Sequence, residues 1–145
     1  MRNAQGRLRS WTLVLAFLVG GVLLSLTVPA LAKNFVDTTH LTILRTPSGT
    51  LSPGERVNIH GRLKSVHQAC HSHKKIHLYR RNKGQSTFHH IDVTTTTTTG
   101  KYHFFRHPRK SAEYYTSFKG TVSGVHPNHH VCLKSRSRTI HIPVS

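Results

Sequence analysis

Acidic side chains are almost missing from this sequence: Asp37, Glu55, Asp92 and Glu113 are its four carboxylates in 145 residues. Each stands alone, and no two have the spacing of a motif. General acid–base pairs and oxygen cages for hard cations need several carboxylates placed together. Their scarcity argues against hydrolases of that type, and no enzymatic activity and no cofactor are expected. Cysteine is rarer still, with Cys70 and Cys132 alone. Also missing are a helical apolar stripe, a twin-arginine pair, a cysteine after the apolar leader that would mark a lipoprotein, and any recognised nucleic-acid motif.

The long apolar run that does occur stands at the start. Arg2, Arg7 and Arg9 precede an apolar stretch over 11–28, and Pro29 leads into Ala30, Leu31 and Ala32. A positive region, an apolar region and an A-x-A site in that order describe a secretory signal peptide. An 18-residue run also has the length of an uncleaved membrane anchor, although Pro29 before small residues favours cleavage. The expectation is a leader over 1–32 and one domain over 33–145. That domain is secreted with no transmembrane segment after cleavage, or membrane-anchored if cleavage fails. It has room for a single core.

What remains after the leader is strongly basic, with 18 lysines and arginines against the four acids and 14 histidines besides. Such a chain is drawn to polyanions, whether cell-wall or extracellular polymers, acidic lipid surfaces or nucleic acid. Histidine protonation below about pH 6 adds to that charge. Arg56, Arg62, Lys64, Lys75, Arg80, Arg81 and Lys83 are candidates for a basic sheet face. Tyr79, Phe105 and Tyr115 are candidate stacking residues. Binding to nucleic acid is expected to be non-specific, and oligomeric state is not legible.

The mature region alternates with a period of two. RVNIHGRLK sends Val57, Ile59 and Leu63 to one face, KIHLYR does the same with Ile76 and Leu78, and KYHFF with Tyr102 and Phe104. YYTSF aligns Tyr114, Thr116 and Phe118, and TIHIPVS aligns Ile140, Ile142 and Val144. That pattern fits half-buried antiparallel strands. A first strand is read over 41–45, and turns over 46–55, 82–84 and 99–100 separate the runs. About seven strands with frequent turns predict an all-β, two-sheet antiparallel sandwich. The threonine run 94–99 reads as a solvent-facing strand running into a turn, or as an O-glycosylated patch.

The ordered elements LSPGERVNIHGRL, KIHLYRR, TTTTTTGKYHFF, SAEYYTSFKGT and SRSRTIHIPV resemble the Ig-like domains of secreted actinobacterial proteins. They are similar also to the wider group of bacterial Ig-like and carboxypeptidase-regulatory-like sandwich modules. The resemblance covers 41–144. It implies an Ig-like fold and a structural or adhesive role, with one cysteine before the KIHLYRR strand and one before the last strand. The chain departs from that pattern by a threonine where the turn often has aspartate, and by its histidines.

Two cysteines in a small exported domain usually pair, so Cys70–Cys132 is read as a disulfide; a cysteine zinc ligand and a Cys–His nucleophile are the rival readings. Such a bond gathers His71 and His73 near His129 and His130, with His67 and His126 in loop reach. Converging imidazoles suit transition metals, yet the HSH and HH spacings match no recognised motif. No carboxylate lies nearby in sequence to orient them. The histidines are therefore either solvated loop residues or a metal site. The leading expectation is an extracellular, non-enzymatic adhesive module for anionic cell-surface polymers, and the alternative is a histidine-based transition-metal-binding protein.

Overall fold

A computed structural model describes residues 33–124 and 128–145. The expected leader over 1–32 and His126 lie outside the described residues. Twelve strands occur among these: β1 (Lys33–Asp37), β2 (His40–Leu41), β3 (Leu44–Thr46), β4 (Val57–Lys64), β5 (Lys75–Asn82), β6 (His89–Thr95), β7 (Lys101–Arg106), β8 (Ala112–Phe118), β9 (Thr121–Ser123), β10 (Asn128–Cys132), β11 (Ser135–Arg136) and β12 (Ile140–Ile142). One 3-10 turn, Gln68–Cys70, is their sole helical element.

The alternating stretches became strands because each has one face to bury. β4 contributes Val57, Ile59 and Leu63 to the core, β5 Ile76 and Leu78, β7 Tyr102 and Phe104, β8 Tyr114 and Phe118, and β12 Ile142. Two sheets carry these side chains. One runs β11-β8-β5-β6 with β12 also on β8, and the other runs β2-β4-β3 with β7 also on β4. The result is an all-β, sandwich-like fold closed by one disulfide, as the alternation predicts. A third, three-stranded sheet, β1-β10-β9, lies outside that prediction and carries one end of the disulfide.

The strand count exceeds the expected seven for identifiable reasons. The strand read over 41–45 is one run along β4, interrupted where the hydroxyl of Thr42 takes the Arg62 N–H (2.9 Å) and the Thr42 carbonyl takes the Tyr102 hydroxyl (2.5 Å). Side-chain partners thus replace one half of the backbone pairing there, while the Thr42 N–H still donates to the Arg62 carbonyl at 3.0 Å. The Tyr102 hydroxyl also lies 2.8 Å from that of Thr116, joining β7 to β8 between the sheets. Burial pushes its pKa up to about 12, slightly offset by the Thr116 hydrogen bond. Gly61 faces Tyr102 in register, and a Cβ there would lie 2.0 Å from the Thr42 carbonyl oxygen.

Two further corrections concern direction and exposure. β1 pairs with β10 in parallel, so the sheets are not wholly antiparallel. In the threonine run, Thr94 and Thr95 end β6, but Thr96 is only 2% exposed rather than solvent-facing. Its hydroxyl accepts the Lys74 N–H (2.8 Å) and donates to the His71 carbonyl (2.7 Å), pinning the turn before β5.

Candidate functional site

Two groups of polar side chains stand out, one at the disulfide and one on the outer face of the larger sheet. The disulfide joins Cys70, at the end of the 3-10 turn, to Cys132, at the end of β10, with Cα atoms 5.3 Å apart. His67 begins that turn, its carbonyl accepting the Cys70 N–H at 3.0 Å. His130 lies two residues before Cys132 and therefore on the same face of β10. The parallel register sets Phe35 opposite His130 and Asp37 opposite Cys132. Three segments distant in sequence thus meet around one carboxylate.

Asp37 receives both rings: Oδ1 lies 2.5 Å from His67 Nδ1 and Oδ2 lies 2.7 Å from His130 Nδ1. An ionised carboxylate only accepts, so each Nδ1 carries the proton it donates. The imidazole centroids are 4.4 Å apart, and Phe35 stacks on His130 at 5.2 Å. Burial favours the neutral acid, but the hydrogen bonds and positive charge of His67 and His130 outweigh it and hold the Asp37 carboxyl below its usual range. A buried charge persists only when paired in this way. Side-chain exposure rises from 7% at Asp37 to 15% at His130 and 45% at His67, so the cluster opens to solvent past His67.

Of the loop histidines named from the sequence, His130 and His67 are in this cluster, while His71, His73 and His129 are not. His129 occupies the alternate position of β10, in register with Asn34. His73 adopts a left-handed backbone (φ 52°) with Nδ1 2.8 Å from the Ser72 hydroxyl. His71 Nδ1 is buried without a hydrogen-bond partner among the described residues. The orienting carboxylate that no nearby sequence offered comes from Asp37, 30 residues before His67 and 93 before His130. A signal existed in the NFVD stretch, where alternation puts Phe35 and Asp37 on one face.

The second group is a ladder across four strands. The Arg136 guanidinium of β11 lies 3.6 Å from the centre of the Tyr115 ring of β8. Tyr115 stacks on Tyr79 of β5, with centroids 4.7 Å apart and planes within 5°. Tyr79 meets His90 of β6 edge-on at 5.3 Å, and His90 Nε2 lies 3.1 Å from His77 Nδ1. Phe88 abuts Tyr115 at 4.8 Å, and the Arg81 guanidinium covers Phe88 at 4.6 Å. A bulge makes the alignment: Leu78 pairs with Asp92 and Tyr79 with His90, leaving Ile91 as the extra residue. Re-aiming a side chain is a common effect of such bulges. Burial, then the charges of Lys119, His90 and Lys75, lower the His77 pKa.

The seven basic residues proposed as one sheet face are divided between the sheets. Lys75, Arg80 and Arg81 lie on β5 and Lys83 just after it, whereas Arg62 and Lys64 lie on β4 and Arg56 just before it. Arg56 covers Phe105 at 3.9 Å, and Arg62 Nε donates to the Thr99 carbonyl at 2.8 Å. The ladder uses Arg81 from that set and adds Arg136, Phe88, His77 and His90. The acids outside the disulfide cluster are committed to local partners. Glu113 pairs with Arg81, Asp92 with Arg106, and Glu55 accepts the Ser52 N–H.

No family model and no curated protein matches this chain. Among the described residues, no helix is long and apolar enough to cross a membrane.

Proposed function

We propose that this chain is a secreted, non-enzymatic, Ig-like adhesive module that binds anionic polymers of a cell envelope through the outer face of its β11-β8-β5-β6 sheet. The single observation that carries the reading is the Arg136–Tyr115–Tyr79–His90–His77 ladder. Stacking fixes the plane of the Arg136 guanidinium without using any of its five N–H donors. A planar fork held in this way suits phosphate and carboxylate groups. His77 and His90 extend the same face as a reserve of charge that fills on acidification. The acid on this face, Glu113, is already paired with Arg81, so it leaves little to repel a polyanion.

The test is binding to immobilised poly(glycerol phosphate), with uncharged dextran as the control. Binding falls steeply with added salt, because each phosphate contact releases condensed counterions. Tyr115→Ala/Arg136→Ala weakens it by about tenfold, in line with one stacked, charge-assisted contact, while Arg62→Ala/Lys64→Ala on the opposite sheet has a smaller effect. An equal loss from both pairs overturns the assignment to this face. No binding at low salt overturns the adhesive reading itself.

A further inference from the structure

Asp37, His67 and His130 each offer one ligand atom, all within 4.8 Å of one another, in a setting that the adhesive reading does not use. We infer that these three residues form a binding site for a divalent transition metal of the zinc, copper or nickel type. Two nitrogens and one oxygen are the donor set those ions take, whereas calcium and magnesium require mostly oxygen. The sulfurs of Cys70 and Cys132 are committed to the disulfide and are not ligands.

The site is held together before any ion arrives. Asp37 is fixed by the pairing of β1 with β10, His130 by the same pairing and by Phe35, and His67 by the turn that the disulfide clamps. Bonds of about 2.0–2.2 Å to a tetrahedral ion place ligand atoms roughly 3.3–3.5 Å apart. The present separations of 2.5 and 2.7 Å are hydrogen bonds. Admitting an ion therefore opens the contact at the ligand oxygen by about 1 Å and draws in the remaining donor from within 4.8 Å, an adjustment that the half-exposed His67 can accommodate. Each ring ligates as the neutral imidazole with its proton on Nε2, any proton held on Nδ1 passing to solvent as the ion binds, and the carboxylate is ionised. Solvent entering past His67 fills the fourth position, which makes this an open site with three protein ligands.

Competition between the untagged protein, purified without chelating resin, and a chromogenic chelator for Zn²⁺ alone tests the site. One equivalent is expected to bind, and His67→Ala and His130→Ala are each expected to weaken it at least tenfold. His73→Ala and His141→Ala leave it unchanged, as does the ladder variant Tyr115→Ala/Arg136→Ala, which separates this site from the adhesive face. His67 is half exposed, so its loss leaves the core intact, and urea unfolding of the metal-free variant checks this. Lack of saturable uptake overturns the proposal. So does uptake that His67→Ala leaves intact, or uptake lost equally in His141→Ala, which would mean diffuse coordination by surface histidines.

Discussion

The disulfide pole and the ladder face both gather histidines, but they hold them by opposite means. At the pole a nearly buried carboxylate anchors two imidazoles through Nδ1, and a covalent bond holds the segments that bring them together. On the face, His77 and His90 hold one another against a tyrosine, with Lys119 and Lys75 close enough to oppose the charging of His77. The difference lies in the anion. With a carboxylate at its centre, a histidine pair has a defined tautomer and the makings of a ligand set. With burial and lysines around it, His77 is held below the ordinary imidazole range and gains its charge less readily than a free ring. Imidazoles become ligands or charge reservoirs according to which neighbours the fold supplies.

Cutting the disulfide breaks the comparison most severely. Cys70→Ala/Cys132→Ala frees a 62-residue span, which in the chain-entropy account lowers stability by about 4 kcal/mol. Urea unfolding measures the loss. Among molecules that remain folded, zinc uptake falls, since His67 and Asp37 lose their clamp, while binding to poly(glycerol phosphate) persists. Equal loss of both activities from the folded fraction would show that the two regions are not independent.

A core substitution supplies the converse, a change that affects both regions alike. Gly61→Ala sets a Cβ 2.0 Å from the Thr42 carbonyl and 2.6 Å from the Tyr102 hydroxyl, the point where β7 is tied to β8. Overpacking of this kind costs about 1–3 kcal/mol. The urea midpoint drops, and polymer binding and zinc uptake per folded molecule both stay near the parent value. A variant as stable as the parent would mean that the Thr42 backbone yields more easily than its hydrogen bonds suggest.

How much of this was legible in the sequence follows the range of the interactions. Strand faces were readable because alternation is local: Ile59, Leu78, Tyr102 and Tyr114 are buried as their spacing predicts. The disulfide was readable because two cysteines leave one pairing. The Asp37 cluster was not, since alternation in NFVD sets Phe35 and Asp37 on one face but says nothing of the parallel β1–β10 pairing and the bond at Cys132 through which the members meet. Tyr79 and Tyr115 were identifiable as candidate stacking residues, but not as partners. Their contact depends on the β5–β8 register, and that with His90 on the bulge at Leu78/Tyr79. Charge counting found Arg81 and overlooked Arg136, because β11 is a two-residue strand whose place beside β8 no local pattern reveals.

The smallest expected effect is also the sharpest probe of the face. Burial is the largest cause lowering the His77 pKa from its ordinary 6.5, followed by the charges of Lys119, His90 and Lys75. A lowered imidazole pKa means that the fold prefers the neutral ring. The sign follows: stability is undiminished above the unfolded value of about 6.5 and declines as pH falls through it, because the unfolded chain takes up the proton first. An NMR titration should give His77 a midpoint below that of an ordinary histidine, and His90→Ala should move it upward by removing one opposing charge. Polymer binding strengthens over the same fall in pH as the face gains protons, so adhesion and stability respond to acid in opposite directions. A His77 midpoint that His90→Ala leaves in place would show that His77 titrates independently of His90 and that the ladder ends at His90.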